Sequence, residues 1–368
     1  MTSSLDVVVI GAGQAGLALG HHLARRRADF LLLEAGPEVG YSWRSRWDSL
    51  RLFSPAQYDS LPGLPFPAPA DTHPTKDDVA DYLAAYAAHF RLPVRLNSPV
   101  RRVHRTADGR FAVTTRTEVL SARQVVVATG PFQTPRTPAL AAQVDPLVPQ
   151  LHSAGYRNPA QLPAGARVLV VGAANSGLQI AAELATRCSV TVAVGSQPRQ
   201  LPQRVAGRDL FFWLTKAGFF TAPSTSRIAR RLRARGDLVI GTRSRALRRR
   251  GVGFRPRLTG VTGRTARFAD GSTMDVDAVV WATGYRPDHS WLHVPGVVVD
   301  GQVRHEAGAT DVPGLFFLGL PWQTCRGSAL LGFVGADAAG LDERLALSAR
   351  AGVAIVQEDH GALLGHGG

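Results

Sequence analysis

The sequence predicts an α/β protein built from two Rossmann-like dinucleotide-binding units, the second inserted into the first. Three observations carry that expectation. The chain opens with Val7-Val8-Val9-Ile10-Gly11-Ala12-Gly13-Gln14-Ala15-Gly16, a β-branched strand pattern running into Gly-x-Gly-x-x-Gly. The pattern returns at Arg167-Val168-Leu169-Val170-Val171-Gly172-Ala173-Ala174-Asn175-Ser176-Gly177. Two further strand patterns end alike, in Ala128-Thr129-Gly130 and Ala282-Thr283-Gly284, one for each unit.

In the first unit the glycines have distinct physical roles. Gly11 makes the strand-to-helix turn, Gly13 lets backbone approach a pyrophosphate, and Gly16 lets helix and strand pack closely, with the phosphates at the helix N-terminus. An apolar helix pattern over 17–24 and a second strand, Phe30-Leu31-Leu32-Leu33, end in Glu34, placed to hold ribose hydroxyls. Residues 36–55 read as an aromatic-rich loop and 62–74 as an extended proline-rich connection. A helix follows over 77–90, then a meander of strands at 101–104, 110–116 and 118–120 with Asp108-Gly109 at a turn. A buried strand at 124–130 and a proline-rich linker over 131–163 lead to the repeat.

The second copy is the weaker, because Ala174 carries a Cβ where the first copy has Gly13. Its second strand ends at Gly195 where the first ends at Glu34, so no carboxylate would repel a 2′-phosphate, and Ser196 and Arg199 follow. That difference predicts NADPH rather than NADH. The aromatic stretch 211–220 reads as a helix roofing a pocket, and the arginine runs at 228–235 and 244–250 as solvated helix faces. Short strands are expected within 252–258, 266–268 and 274–276, and a buried strand entering a turn over 312–322, with a helix over 329–344, closes the first unit.

Composition narrows the class. At 368 residues, 45% hydrophobic and 19% charged, the chain is long enough for about two cores. No apolar run reaches the roughly 18 residues of a membrane span, and the first strand leaves no room for a signal peptide, so a cytoplasmic protein is expected. The two cysteines, Cys188 and Cys325, form no Cys-x-x-Cys, which disfavours a dithiol reductase. The net charge of +14 comes from arginine, Lys76 and Lys216 being the only lysines, and no nucleic-acid module accompanies it. His152 and His305 are isolated and read as structural rather than as general bases.

With these motifs assembled, the chain resembles the class B flavin monooxygenases over nearly its whole length. The likeness rests on Gly11-x-Gly13-x-x-Gly16 with Glu34, Trp43-Arg44, Gly172-x-x-Asn175-Ser176-Gly177 and Ala282-Thr283-Gly284-Tyr285. Trp47-Asp48-Ser49-Leu50-Arg51-Leu52-Phe53-Ser54-Pro55 and Gly319-Leu320-Pro321-Trp322 look more like flavin monooxygenases found beside arsenic-resistance genes. The resemblance implies a glutathione-reductase-like architecture: an FAD domain at 1–160 and 286–368, and an inserted NADPH domain at 161–285 with a helical insert about 203–250. It implies FAD contacts from Gly11, Gly13, Gln14, Ala15, Gly16, Glu34, Ala35, Trp43, Arg44, Val100, Thr129, Gly130 and Gly319. NADPH contacts are implied at Gly172, Asn175, Ser176, Gly177, Ser196, Arg199, Ala282, Thr283 and Gly284.

The implied chemistry is hydride transfer to flavin, capture of O₂ as a C4a-(hydro)peroxide, and oxygenation of a small molecule at nitrogen, sulfur or carbonyl. The flavin carries it, so no catalytic side chain is assigned, and Phe53, Ser54, Gln57, Trp322 and Gln323 are expected to line the site. Of the family's Phe-x-Gly-x-x-x-His-x-x-x-Tyr/Phe/Trp signature only His152-Ser153 and Tyr156 survive; Pro146 and Val148 replace its Phe and Gly, and Tyr156 in place of Trp leans away from the Baeyer–Villiger branch. Phe53 stands where the family has an Asn near the flavin, so an NADPH-dependent flavin oxidoreductase or oxidase is the alternative, and a non-catalytic flavin-binding protein a third reading. Oligomeric state is open, with a homodimer one possibility.

Overall fold

The computed structural model describes residues 4–196, 199–234 and 238–363, with side chains to residue 349. Strand β1 (Ser4–Ile10) contains Val7, Val8 and Val9, all fully buried, as expected of a central strand covered on both faces. Helix α1 (Gln14–Arg25) leads back to β2 (Phe30–Leu33), which lies parallel to β1 with Val7 opposite Phe30 and Ile10 opposite Leu33. After the single turn α2 (Tyr41–Arg44), helix α3 (Lys76–His89) starts where Thr75 and Asp78 form a capping box, and it buries Val79, Tyr82, Leu83 and Tyr86. It ends one residue short of the predicted Phe90. Strand β3 (Val94–Arg95) then extends the sheet beyond β2.

Strands β4 (Arg102–Arg105), β5 (Phe111–Thr114) and β6 (Val119–Val127) form the meander. The strands predicted at 118–120 and 124–130 are one strand, β6. Its first half alternates buried and open positions against antiparallel β5, and its second half is continuously buried beside parallel β1. A change of partner within one strand reads in sequence as two strands.

The stretch expected to be a linker, 131–163, holds two pairings. β7 (Thr134–Pro135) lies antiparallel to Tyr285–Arg286, and β8 (Gln150–His152) is the edge of the second sheet beside Ala278–Trp281. That sheet runs Gly253–Arg255, β10 (Ser189–Ala193), β9 (Arg167–Val171), Ala278–Trp281, β8, all parallel. Helix α4 (Asn175–Leu184) crosses between β9 and β10. A separate antiparallel sheet, Leu258–Thr262, Thr265–Phe268 and Thr273–Asp275, precedes the return to the first unit.

Within the insert, β11 (Arg199–Leu201) pairs with Leu238–Ile240, and three short helices follow in order: α5 (Leu210–Lys216), α6 (Arg227–Ala234) and α7 (Ser244–Arg249). The aromatic helix predicted through 220 stops at Lys216. Gly218 turns at φ +69°, and Phe220 folds back to stack on Phe211 at 4.7 Å. This pair packs on Phe53, Tyr58, Leu330 and Phe333, so the insert is seated on the first unit.

Leu315–Phe317 closes the first sheet, parallel to β6, and α8 (Val334–Leu363) packs along α1, with Arg26 paired to Asp342 at 2.6 Å. The helix begins five residues later than predicted. Residues 329–333 form turns instead, and Gly332 lies so close to the chain at Tyr58 that a Cβ there would sit 1.9 Å from the Tyr58 carbonyl.

Candidate active site between two glycine turns

Both turns are built the same way. Gly11 has φ +106°, and a Cβ on it would meet the Ala128 carbonyl at 2.6 Å; Gly172 has φ +118° and would meet the Ala282 carbonyl at 2.3 Å. The repeated Ala-Thr-Gly ending thus has a steric origin: in each unit its alanine carbonyl closes over the first glycine of the turn. The third glycines are equally confined, since a Cβ on Gly16 would lie 1.9 Å from the Gly11 carbonyl and one on Gly177 2.0 Å from that of Gly172. Gly13 differs. No protein atom lies within 4 Å of its missing Cβ, so its bare backbone borders open space.

Neither α1 nor α4 has a side-chain cap or an acid in its first turn, which leaves their N-terminal amides for an anion. Both turns open on one cleft of about 1390 Å³. That is more than one drug-sized ligand fills, and it suits two extended dinucleotides meeting end to end. The residues present therefore fit the two cofactors.

Of the residues assigned to FAD, Gly11, Gly13, Gln14, Ala15, Glu34, Ala35, Trp43, Val100, Thr129, Gly130 and Gly319 line the cleft. Glu34 accepts hydrogen bonds from the Ala12 and Gly36 amides at 3.0 and 2.8 Å, which fixes its carboxylate beside the glycine turn. Gly16 lies beneath the turn. Arg44 faces away from the cleft: its guanidinium engages Asp81 at 2.7 Å, Asp77 at 3.3 Å and Glu38 at 3.4 Å, and these carboxylates raise its already high pKa.

Of those assigned to NADPH, Gly172, Asn175, Ser176, Ser196, Ala282, Thr283 and Gly284 line the cleft, while Gly177 packs behind the turn. Asn175 also ties the insert down, donating to the Leu238 carbonyl and accepting from the Ile240 amide. Arg199 sits exposed on β11 and does not line the cleft. Arg257 does, and its Nη2 donates to the Gly195 carbonyl at 2.9 Å. Residue 257 arrives there because Gly253–Arg255 pairs with β10, a long-range pairing with no local signal.

Phe53 lines the cleft, packs on Phe211 at 5.7 Å, and accepts a hydrogen bond from Gln203 on its carbonyl. The other four candidates are elsewhere. Ser54 is buried and donates to Asp59 at 2.6 Å, Gln57 is exposed, and Trp322 adopts φ +60° beneath the Arg326 guanidinium. Gln323 is buried and accepts from the Leu320 amide, bracing the turn.

Sequence reasoning passed over Arg46, which lines the cleft, donates to the Tyr285 hydroxyl and lies 5.3 Å from that ring's centroid. Its position in an aperiodic loop carried no pattern. His152 spends both ring nitrogens on backbone, Nδ1 accepting from Ala154 and Nε2 contacting the Gly284 carbonyl, and burial lowers its pKa. His305 is likewise held low by burial and accepts from the Gly308 amide. Both brace the backbone here.

Residues 8–207 match the model of the pyridine nucleotide-disulphide oxidoreductase family. An uncharacterized CzcO-like oxidoreductase of Geobacillus kaustophilus is 42% identical over 340 residues, covering 92% of this chain and 97% of that one. The indole-3-pyruvate monooxygenase YUCCA1 of Oryza sativa is 30% identical, covering 78% of this chain and 79% of its own. Among solved structures, a flavin-containing monooxygenase from Stenotrophomonas maltophilia superposes with a TM-score of 0.79 at 33% identity, covering 94% of this chain and 99% of that one. This chain belongs to the pyridine nucleotide-disulphide oxidoreductase family, among its flavin monooxygenases, and is a flavoprotein oxidoreductase whose cofactors are FAD and NADPH.

Proposed function

We propose that the chain is a monooxygenase that forms a C4a-(hydro)peroxyflavin and oxygenates a nitrogen, sulfur or carbonyl centre of a small organic molecule. One observation carries this reading: a single cleft bounded by both glycine turns, with an apolar wall of Leu50, Leu52, Phe53, Leu238 and Val239. Bound FAD supplies hydride acceptance and O₂ activation; the chain supplies position and dryness. In this reading the Gly11–Gly16 turn and Glu34 hold FAD, the Gly172–Gly177 turn and Ser196 hold NADPH, and the Phe53 ring shields the reacting end from water. The pairing of β8 supports moving the boundary of the NADPH unit from 161 back to about 150.

Phe53 also favours the second reading. A phenyl ring donates no hydrogen bond, so it protects by exclusion alone, and an oxidase-like release of peroxide is the alternative outcome. Anaerobic reduction by NADPH followed by rapid mixing with O₂ separates the two. The expected result is a long-lived absorbing species and, with substrate, oxygenated product in excess of hydrogen peroxide. Direct return to oxidised flavin with stoichiometric peroxide for every substrate screened would select the oxidase. Failure of NADPH to bleach the flavin would sink both in favour of the non-catalytic reading.

Arg257 in place of Arg199 is proposed to meet the 2′-phosphate. A charge-assisted contact of this kind contributes about 1.5–3 kcal/mol. Arg257→Ala is therefore expected to raise KM for NADPH roughly ten- to hundred-fold with little effect on NADH. A larger effect from Arg199→Ala would reverse the assignment.

A further inference from the structure

The insert at 203–250 carries most of the molecule's charge. It holds thirteen of the 42 lysines and arginines and two of the 28 acids, a net +11 out of +14 in 48 residues. Cofactor phosphates do not account for it, because among the described residues none of these basic side chains lines the cleft.

Helix α6 concentrates the feature. Its sequence is Arg-Ile-Ala-Arg-Arg-Leu-Arg-Ala, and Arg227, Arg230, Arg231 and Arg233 are all exposed. Ala229 is its one buried residue and seats the helix on the protein. Among the described residues no ion pair engages α6 or α7, and no described carboxylate matches these arginines. Between them Ile228 is 68% exposed, an apolar side chain set into a basic face. Elsewhere on the insert Trp213 is 40% exposed, with its indole nitrogen donating to the Val205 carbonyl.

The two features together discriminate between polyanions. A nucleic-acid backbone is met chiefly by cations and polar donors, and an isoleucine beside them gains little from phosphates and sugars. A bilayer surface with acidic lipids uses both: arginine heads meet phosphate and carboxylate groups while an aliphatic side chain enters the acyl boundary. We propose that α6 and the arginine-rich insert dock this enzyme on an anionic lipid surface. Ala234, the last residue of α6, lines the cleft, roughly 10 Å along the helix from Ile228. Docking would therefore set the cleft wall near the apolar phase, where lipophilic substrates concentrate.

Co-sedimentation of the flavin-loaded enzyme with vesicles tests this. Vesicles of phosphatidylcholine containing about one-third phosphatidylserine are expected to bind it at least about ten-fold better than phosphatidylcholine alone, with binding falling as salt rises. Each basic residue at such a surface contributes roughly five-fold, so Arg230→Gln with Arg231→Gln is expected to weaken binding about 25-fold. Ile228→Ser is expected to weaken vesicle binding several-fold and leave binding to duplex DNA unchanged. NADPH consumption without vesicles is expected to stay at the wild-type rate in both variants, which shows that they fold. Failure to bind acidic vesicles, equal binding to neutral ones, or insensitivity to the arginine pair would overturn the proposal. So would duplex DNA that displaces the protein from vesicles while Ile228→Ser changes nothing, which would mark the face as a nucleic-acid surface.

Discussion

Gly13→Ala is expected to yield a folded protein almost empty of flavin, whereas Gly16→Ala, three residues away, is expected to yield little folded protein at all. Gly13 has φ −77° and ψ −170°, a conformation open to alanine, and no protein atom stands within 4 Å of the new methyl group. The apoprotein should keep its stability to within about 0.5 kcal/mol. The methyl group instead projects into the space a pyrophosphate must approach, so the backbone amides can no longer reach the phosphates and flavin affinity is lost. At Gly16 the methyl group would lie 1.9 Å from the Gly11 carbonyl, so β1 and α1 would have to separate. That places the cost at about 4 kcal/mol or more. The flavin-to-protein absorbance ratio and apoprotein melting temperatures check both. A Gly13→Ala protein that retains full flavin would remove this turn from the FAD site.

Asp59→Asn is expected to stabilise the protein increasingly as pH rises from about 4 to about 8. Asp59 is 1% exposed, one of its oxygens accepts from Ser54 and the other is buried without a partner. Burial pushes its pKa up to about 7. Below about pH 4 the carboxyl is protonated in folded and unfolded chains alike, so its titration has no effect there. Between about pH 4 and 7 the unfolded chain ionises while the folded one stays neutral, and stability is lost; above pH 7 the loss is complete. A shift of this size corresponds to about 4 kcal/mol. Asparagine cannot ionise, so urea denaturation at pH 5 and pH 8 should show the variant gaining on the wild type between them. A gain independent of pH would rule out ionisation of Asp59 as the cause.

The site's placement makes this more than a stability matter. Asp59 anchors Ser54, and Ser54 follows Phe53, so the pair underlies the one candidate residue that reaches the cleft. Ser54 and Gln57 were expected in the site because they neighbour Phe53 in sequence. In the structure Ser54 turns to the buried Asp59 carboxyl and Gln57 to the surface, because the chain bends at residues 53–54 before a short 3₁₀ turn at Ala56–Tyr58. An aperiodic loop has no repeat from which side-chain direction can be read.

The sequence by itself determined the two units, their glycine turns and Glu34. These rest on local demands: β-branched runs make strands, a positive φ and crowding by a neighbouring carbonyl require Gly11 and Gly172, and a capping box starts α3. The tertiary structure alone decided which cations face the cleft. Arg44 lies next to Trp43 in the loop motif and turns to the acids of α3, while Arg257, 62 residues from Gly195, arrives at its carbonyl through strand pairing. It also decided that β8 belongs to the second sheet and that the insert rests on Phe53 and Tyr58. Pairing partners and side-chain directions come from contacts between residues far apart in sequence, and no local pattern encodes them.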